Sequence, residues 1–332
     1  MSLYYRVWGN PAGVPVVFVH GGPGNDVLHY KNINSKFFQE DRYYVIEIDQ
    51  RGTGKSTPSV REDIANMKLY LDISIDKMSA DFEALRSFLG IEKWLVFGGS
   101  WGSTLGLDYC QRYPSRCLGL IARGIFLNTE PEFDAIYAHS SFEGDERCTK
   151  EFNIFFELAQ QEAMKRGEEA LDVNDSERFI RLYETMILRG DRDAIWRFYV
   201  FESNLADEDP ADRLDPYVIN EELFPETVSV SFFEARLFLR GTFEDPVDLL
   251  AAGAVEQLRG LPIWVVQGTG DGVCPDVYAR QLVQCLDDAG IANTSRFVDA
   301  GHRASSSGIA VALQESLEEF YFAMMQQKTA SS

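Results

Sequence analysis

The chain has 332 residues, of which 45% are hydrophobic and 13% aromatic, so it can bury a large core and is not a disordered or low-complexity protein. Its formal net charge is −21, from 52 acidic and 31 basic residues. This charge argues against a nucleic-acid binder, which needs a basic footprint, and against binding to an anionic membrane surface. The length suits one large domain with an insertion, or two domains.

The first third of the chain contains strand-like runs separated by helical segments. Short apolar, β-branched runs predict buried parallel strands at residues 16–19, 44–48, 94–97 and 118–122. Apolar residues between the second and third runs share one helical face, at Ile75, Met78, Phe82, Leu85 and Leu89. Residues 101–113 also read as a helix, which ends before Pro114. The alternation predicts a parallel α/β sheet covered on both faces.

The middle of the chain differs from its two ends. Residues 125–250 contain charge-rich helical segments and lack strand-like runs, which return at 263–266 and 295–298 before a last helix at 309–326. The predicted organisation is therefore a core domain, residues 1–124 and 251–332, split by a helical cap domain, residues 125–250. This cap holds 30 acidic and 12 basic residues, a net charge of −18 out of the total of −21.

A G-x-S-x-G pattern is the strongest chemical signal. Ser100 stands between Gly98 and Gly102, directly after a predicted strand and before a predicted helix. Such a turn is too tight for flanking side chains, and it lifts the serine hydroxyl out of the sheet edge beside the helix amino terminus. Ser100 is the predicted nucleophile.

A serine nucleophile needs a base and an acid that orients the base. His302 follows the last predicted strand, from where a loop histidine can reach back over the sheet. Asp271 follows the strand at 263–266, with Asp276 and Asp299 as competitors. The order Ser100, Asp271, His302 along the chain is that of the α/β-hydrolases.

The other three histidines have simpler interpretations. His20 lies at the end of the first predicted strand, where it is expected to shape a loop through hydrogen bonds. His29 lies in a helix-like stretch and His139 in the cap, and both are expected to be surface or core-edge residues.

The oxyanion hole is predicted from backbone amides. The N–H of Trp101, next to the nucleophile, is one donor. The second is expected from the glycine-rich loop after the first predicted strand, with Gly22 favoured and Gly21 as the alternative.

No cofactor and no metal are predicted. Residues 52–56 resemble the end of a phosphate-binding loop, but the glycine that the pattern needs is replaced by Asp49. A dinucleotide fingerprint does not follow the first strand, and histidines, cysteines and carboxylates lack metal-ligand spacing.

The combined motifs resemble the prolyl iminopeptidase family of serine aminopeptidases. The similar segments are HGGPG at 20–24, DQRGTGKST at 49–57, GGSWGSTL at 98–105, RGIF at 123–126, the Asp271 turn and AGH at 300–302. The resemblance covers the core, roughly residues 3–126 and 260–325, and is weak across the cap. It implies an α/β-hydrolase core with a helical cap, and removal of an N-terminal residue, typically proline, from peptides.

The resemblance also implies site residues. Ser100 is the nucleophile, His302 the general base and Asp271 its orienting acid, while Phe126 lines the pocket for the proline ring. In the family, cap glutamates hold the free α-amino group, and residues 198–202 and 231–238 are similar to the two segments that carry them. This matches Glu202 and Glu234, although an N-H-Y that follows the second glutamate in the family is replaced at residues 235–237. The alternative for both glutamates is an ordinary solvated helix charge.

Three functions remain open from the sequence. The favoured one is a serine exopeptidase acting through an acyl-enzyme on short peptides with a free N-terminus. The second is an esterase or amidase of the same fold with no free-amine requirement, and the third is a non-catalytic binding protein. The acidic cap favours the first, because a negative roof attracts cationic amino termini. Five cysteines, an odd number without paired spacing, argue against a disulfide framework, and together with the lack of a signal-peptide pattern they predict a cytoplasmic protein.

Overall fold

A central sheet of seven strands organises the molecule. A computed structural model describes residues 1–30, 36–206 and 210–330. The strands are β1 (Tyr5–Gly9), β2 (Val14–Val19), β3 (Tyr43–Ile48), β4 (Trp94–Ser100), β5 (Cys117–Ile125), β6 (Ile263–Gly268) and β7 (Asn293–Val298). Their order across the sheet is β1-β3-β2-β4-β5-β6-β7, with β1 antiparallel to β3 and all other pairs parallel. The predicted parallel α/β sheet is confirmed.

Helices connect and cover the strands. They are α1 (Ile75–Phe88), α2 (Trp101–Arg112), α3 (Glu130–Tyr137), α4 (Glu146–Lys165), α5 (Ser176–Leu188), α6 (Arg192–Ala206), α7 (Phe224–Leu239), α8 (Ala252–Glu256), α9 (Asp276–Asp288) and α10 (Ser307–Ala330). A π-helical turn, Arg240–Glu244, extends α7. Within the described ranges, no helix is both long and apolar enough to cross a membrane.

The alternation of side chains along each strand builds two cores. In β2, Val17 and Val19 face the core that contains residues of α1 and α2. Val16 and Phe18 point to the opposite face and pack with residues of α10. Because both faces are covered, the central strands are apolar at nearly every position, which is why they appear as continuous runs in the sequence.

The described residues between β5 and β6 form helices joined by turns and loops, without a strand. Helices α4, α5 and α6 share an aromatic core in which the Phe155 ring stacks on Tyr183 at 4.2 Å and on Phe201 at 4.4 Å. Helix α7 joins this layer to the sheet, since the Ser229 hydroxyl donates to the Gly24 carbonyl at 2.7 Å. The division into a core and a cap domain at residues 125–250 stays a prediction, and these helices occupy that range.

Strand β1 and helix α9 are among the elements that the sequence does not predict. Strand β1 is half-exposed at the sheet edge, so its residues lack the continuous apolar run of the buried strands. Helix α9 has its buried residues at Tyr278, Ala279, Leu282 and Leu286, a narrow stripe on a charged helix. His29 lies in a turn and not in the helix-like stretch expected for it.

Candidate active site

The turn between β4 and α2 holds Ser100 in a backbone conformation that residues other than glycine rarely adopt. Ser100 has φ 56° and ψ −131°, and α2 begins at the next residue. A Cβ atom on Gly98 would lie 2.3 Å from the Gly102 carbonyl oxygen, and one on Gly102 would lie 2.1 Å from the Val19 carbonyl oxygen. Only glycine fits at positions 98 and 102, as the pattern predicts. Because β2, β4 and α2 pack closely at these two glycines, the turn is tight and Ser100 takes up a strained backbone conformation with positive φ.

We expect Ser100→Gly to be more stable than Ser100→Ala by roughly 1 kcal/mol. Backbone strain of this kind costs the folded state about 1–3 kcal/mol, and glycine relieves it. Glycine also gives the unfolded chain more conformational freedom, which lowers stability by about 0.5–1 kcal/mol, so the net gain over alanine is smaller than the strain itself. Urea denaturation of the two variants measures the difference. The matched pair Ser87→Gly and Ser87→Ala, at an exposed position of α1, should show the opposite order, as helix propensity dictates. The same order at both positions would contradict a strained turn at Ser100.

Asp271 and His302 form a hydrogen-bonded pair at the carboxyl ends of β6 and β7. The His302 Nδ1 lies 2.8 Å from Asp271 Oδ2 and 3.0 Å from Oδ1. The Asp271 carboxylate also accepts the backbone N–H groups of Val273 at 3.0 Å and Cys274 at 2.8 Å. Burial by itself raises the pKa of Asp271, but the histidine and the N–H donors outweigh it, and the resulting pKa is lower than usual. Asp271 is thus an ionised acceptor that orients the His302 ring.

The competing acids lie elsewhere. Asp276 begins α9 and pairs with Arg280 at 2.7 Å, while Asp299 is exposed to solvent. Two of the remaining histidines lie outside the triad geometry: His29 pairs with Glu226 at 3.1 Å, and His139 packs edge-on against Phe152.

A cavity of about 250 Å³ brings most of the predicted site residues together. Six of them line it directly: Gly22, Ser100, Phe126, Glu202, Glu234 and His302. Asp271 reaches the cavity through its bond to His302, and Trp101 is the buried neighbour of Ser100 at the start of α2. The structure therefore gathers residues from seven separate segments of the chain into one space between the sheet edge and the helical layer.

The backbone around Ser100 offers the donors of an oxyanion hole. Trp101 is the first residue of α2, where backbone N–H groups have no intrahelical partner. Gly22 lines the same cavity as Ser100, whereas Gly21 faces a smaller cavity behind the loop. This placement favours Gly22 over Gly21, and the role of both donors stays a prediction.

Two carboxyl groups line the cavity, one of them buried (Glu234, on α7) and the other half-buried (Glu202, on α6). The two groups interact with each other, and the Tyr137 hydroxyl donates to Glu202 Oε1. Burial raises the pKa of Glu202 to about 7 and raises that of Glu234 well above its ordinary value, with the neighbouring carboxylate adding to the shift at Glu234. The Oε2 atom of Glu234 is buried without a protein partner among the described residues. These are not solvated helix charges, and an unpartnered acceptor inside a cavity suits a cationic ligand.

The wall beside the carboxyl pair is apolar. Phe126 lies on Phe238 with ring centroids 4.9 Å apart. Ile136 and Val230 line the same cavity. An apolar wall next to acceptors for an amine matches a small hydrophobic residue that carries a free amino group.

The departure from the family pattern after Glu234 does not reach the cavity. The Arg236 side chain donates to the Leu71 carbonyl at 2.9 Å and to Glu184 at 2.8 Å, and it also pairs with Glu244. It therefore ties α7 to α5, to the π-helical turn and to the core. Ala235 and Leu237 are buried in the helical layer and do not line the cavity.

Several cavity residues carry little or no signal in the sequence. Tyr199 and Phe238 line the cavity within the two segments that resemble the family's glutamate segments, but nothing in those segments marks them as cavity residues. Tyr137, which contacts Glu202 from α3, has no local motif around it. Cys274 is signalled by its place three residues after Asp271, and it lines the same cavity as Ser100. Arg123 belongs to the RGIF segment, and its guanidinium donates to the His302 carbonyl.

Asp271, Cys274 and His302 also bring one possible metal-ligand atom each within 4.8 Å of one another. Burial raises the pKa of the Cys274 thiol well above its ordinary value, which keeps the sulfur protonated and a poor ligand. Because Asp271 and His302 already bond each other, the arrangement fits a catalytic triad better than a metal centre.

Comparison with known proteins agrees with this geometry. The α/β-hydrolase fold family matches residues 14–308. A probable proline iminopeptidase from Leptolyngbya boryana is 33% identical over 323 residues, which cover 96% of this chain and 90% of that protein. The proline iminopeptidase of Neisseria meningitidis serogroup B (strain ATCC BAA-335 / MC58) is 31% identical over 328 residues, covering 96% of this chain and 92% of its own. The chain belongs to the proline iminopeptidase family.

Family membership confirms the resemblance inferred from the motifs and makes the chain a serine hydrolase of the prolyl aminopeptidase family. The fold alone would not identify the class of enzyme. A haloalkane dehalogenase loop variant from Bradyrhizobium elkanii aligns with a TM-score of 0.61 at 16% identity, covering 99% of this chain and 96% of its own. The same scaffold thus carries unrelated chemistry, and the site must distinguish one activity from another.

Proposed function

We propose that this chain is a serine exopeptidase that releases an N-terminal residue, preferentially proline, from short peptides. The observation that carries the proposal is that Ser100, His302 and the carboxyl pair of Glu202 and Glu234 open into one cavity. When the free amino group binds beside the nucleophile, the peptide bond that the nucleophile can reach is the first one of the chain.

The proposed chemistry passes through an acyl-enzyme. The Ser100 hydroxyl loses its proton to the His302 imidazole and attacks the carbonyl carbon of the first residue. The amides of Gly22 and Trp101 stabilise the negative oxygen of the tetrahedral intermediate. The intermediate collapses as the peptide nitrogen leaves with the proton from His302. A water molecule, deprotonated by His302, then hydrolyses the ester and restores Ser100.

Recognition of the amino terminus rests on the carboxyl pair. An exopeptidase must distinguish a free amine, which is a cation, from an internal amide, which is neutral. A buried cation needs a charged partner, and the carboxyl pair provides one once Glu202 is ionised, with the unpartnered Oε2 atom of Glu234 as a further acceptor. A blocked amine would leave these carboxyl groups unpaired and would lose most of the binding energy.

Preference for proline rests on the apolar wall. The rings of Phe126 and Phe238, tilted by 55° to each other, offer an apolar surface for a compact pyrrolidine ring, and the cavity of about 250 Å³ is small.

The cysteines support a cytoplasmic location for this activity. All five are free thiols, as is usual in a reducing compartment.

A panel of aminoacyl arylamides with free and blocked amines tests the proposal. We expect kcat/KM for the free proline arylamide to exceed that for its N-acetylated counterpart by at least about 10²-fold, since a buried charge partner is worth about 3 kcal/mol or more. Alanine and leucine arylamides report the residue preference. Equal rates for free and blocked substrates would instead support an esterase or amidase. Failure of Ser100 to react with a fluorophosphonate would support a non-catalytic binding protein.

A further inference from the structure

A buried carboxamide connects the two segments that carry the proposed oxyanion donors. Gln50 lies two residues beyond the end of β3 and is 2% exposed. Its Nε2 group donates to the His20 carbonyl at 2.9 Å, and its Oε1 atom accepts the indole Nε1–H of Trp101 at 3.2 Å. One planar group therefore spans the loop after β2 and the start of α2.

The backbone of Gln50 controls the same loop a second time. Its N–H donates to His20 Nε2 at 3.2 Å, so the proton of this neutral ring resides on Nδ1, which donates to the Gly21 carbonyl at 2.9 Å. Complete burial lowers the pKa of His20 to about 4, which keeps the ring neutral and the tautomer fixed.

The bond to the Gly21 carbonyl determines where the next amide points. The peptide between Gly21 and Gly22 is trans, so its carbonyl and its N–H point in opposite directions. Because His20 holds the Gly21 oxygen on its own side, the Gly22 N–H is turned the other way. Gly22 lines the cavity beside Ser100, while His20 is fully buried behind the loop.

We propose that Gln50 is the positioning residue of the oxyanion hole: it sets the direction of the Gly22 amide through His20 and holds Trp101 at the same time. Gln50 itself is anchored, since its carbonyl accepts both the N–H and the hydroxyl of Thr53 at 3.0 Å. Gln50 touches no substrate, so it acts through the geometry of the two donors. The inference rests on the proposed role of Ser100 as the nucleophile.

Substitution of Gln50 should lower the rate of chemistry and leave binding unchanged. Loss of one oxyanion donor costs about 10²–10³-fold in kcat, and displaced donors cost less. For Gln50→Met, which removes both side-chain bonds, we expect kcat for the proline arylamide to fall about 10- to 100-fold with KM within about twofold. Gln50→Glu keeps the acceptor for Trp101 but loses the donor to His20, so its decrease in kcat should be smaller than that of Gln50→Met. If Gln50→Met does not fold, the same measurement is made on Gln50→Glu.

Gln111 provides the matched control. It is also a buried glutamine of the core, and its Nε2 group donates to the Leu249 carbonyl at 2.8 Å, far along α2 from Ser100. Gln111→Met removes a comparable bond and should leave kcat unchanged. An equal loss of kcat in Gln111→Met, or an unchanged kcat in both Gln50 variants, would overturn the proposal.

The rate at which a fluorophosphonate labels Ser100 separates this inference from the proposed function. Labelling uses the oxyanion hole but needs no free amine. If the wild-type protein is labelled at Ser100 yet does not turn over the proline arylamide, the exopeptidase proposal fails, and the labelling rates still decide the role of Gln50. We expect labelling of Gln50→Met to slow by about the same factor as kcat.

Discussion

Ser100→Ala is expected to abolish turnover of a proline arylamide while the protein stays folded. Removal of the nucleophile of a serine hydrolase costs about 10⁴-fold or more, because the remaining histidine and acid cannot form the acyl-enzyme. Alanine removes a single oxygen atom from a side chain that faces an open cavity, so packing is preserved. Release of the arylamine, followed by its absorbance, measures the rate.

The control for Ser100→Ala is Ser87→Ala, on the exposed face of α1, which should retain wild-type kcat. Intact-mass measurement after fluorophosphonate treatment should show one adduct on the wild type and on Ser87→Ala, and none on Ser100→Ala. Full activity of Ser100→Ala, with an unchanged thermal unfolding curve, would rule out Ser100 as the nucleophile.

The sheet could be predicted because its signals are local. Strands buried on both faces are apolar at consecutive positions, so β2 to β5 appear directly in the sequence. Strand β1 pairs on one side only and exposes Val7, which breaks that signal. The narrow apolar stripe of α9 is likewise masked by the charges on its outer face.

The placement of the three proposed triad residues could be predicted for a related reason. Ser100, Asp271 and His302 lie at or just after the carboxyl ends of strands, and the carboxyl ends of parallel strands meet at one edge of the sheet. The order of the three residues then suffices to propose their roles. The side chains of the helical layer lack such a rule, because their positions depend on how α3, α6 and α7 pack together.

Glu202 and Glu234 illustrate this limit. Both were inferred through resemblance to a family, and charge patterning could not distinguish them from the other acidic residues of the cap. The bond from Tyr137 to Glu202 had no sequence signal at all, since it joins residues 65 positions apart on two helices. Burial of a pair of carboxyl groups is a property of tertiary packing, and it is visible only in the structure.

Glu202→Gln and Glu234→Gln are expected to lower kcat/KM for the free proline arylamide by about 10²- to 10³-fold. Removing one partner of a buried charge pair costs about 3–5 kcal/mol, because the substrate cation then lacks full compensation. The loss should be much smaller for the N-acetylated substrate, which carries no cation. Glu221→Gln is the matched control, since Glu221 is an exposed acid that pairs with Arg192, and it should leave kcat/KM within about twofold of wild type.

The carboxyl pair also predicts the direction of the pH dependence. Burial raises the pKa of Glu202 to about 7, so Glu202 is protonated below that pH and becomes ionised as the pH rises. Capture of a cationic amine requires the ionised form, and kcat/KM for the free substrate should therefore increase through about pH 7. Titration of His302 affects both the wild type and Glu202→Gln, so the ratio of their two profiles isolates the contribution of the pair.

The contribution of Glu202 to the free energy of unfolding should change with pH in the opposite direction to the activity. A carboxyl group with a raised pKa binds its proton more tightly in the folded state than in the unfolded state. Its contribution to stability is therefore largest at low pH and falls as the pH rises from the pKa of the unfolded state towards about 7. Glu202→Gln removes this penalty, and we expect it to be more stable than the wild type at pH 8 but not at pH 4. Loss of activity together with a gain in stability excludes misfolding as the cause. A variant that loses stability at pH 8 would show that Glu202 supports the fold, and the amine-anchor role would then lose its main physical argument.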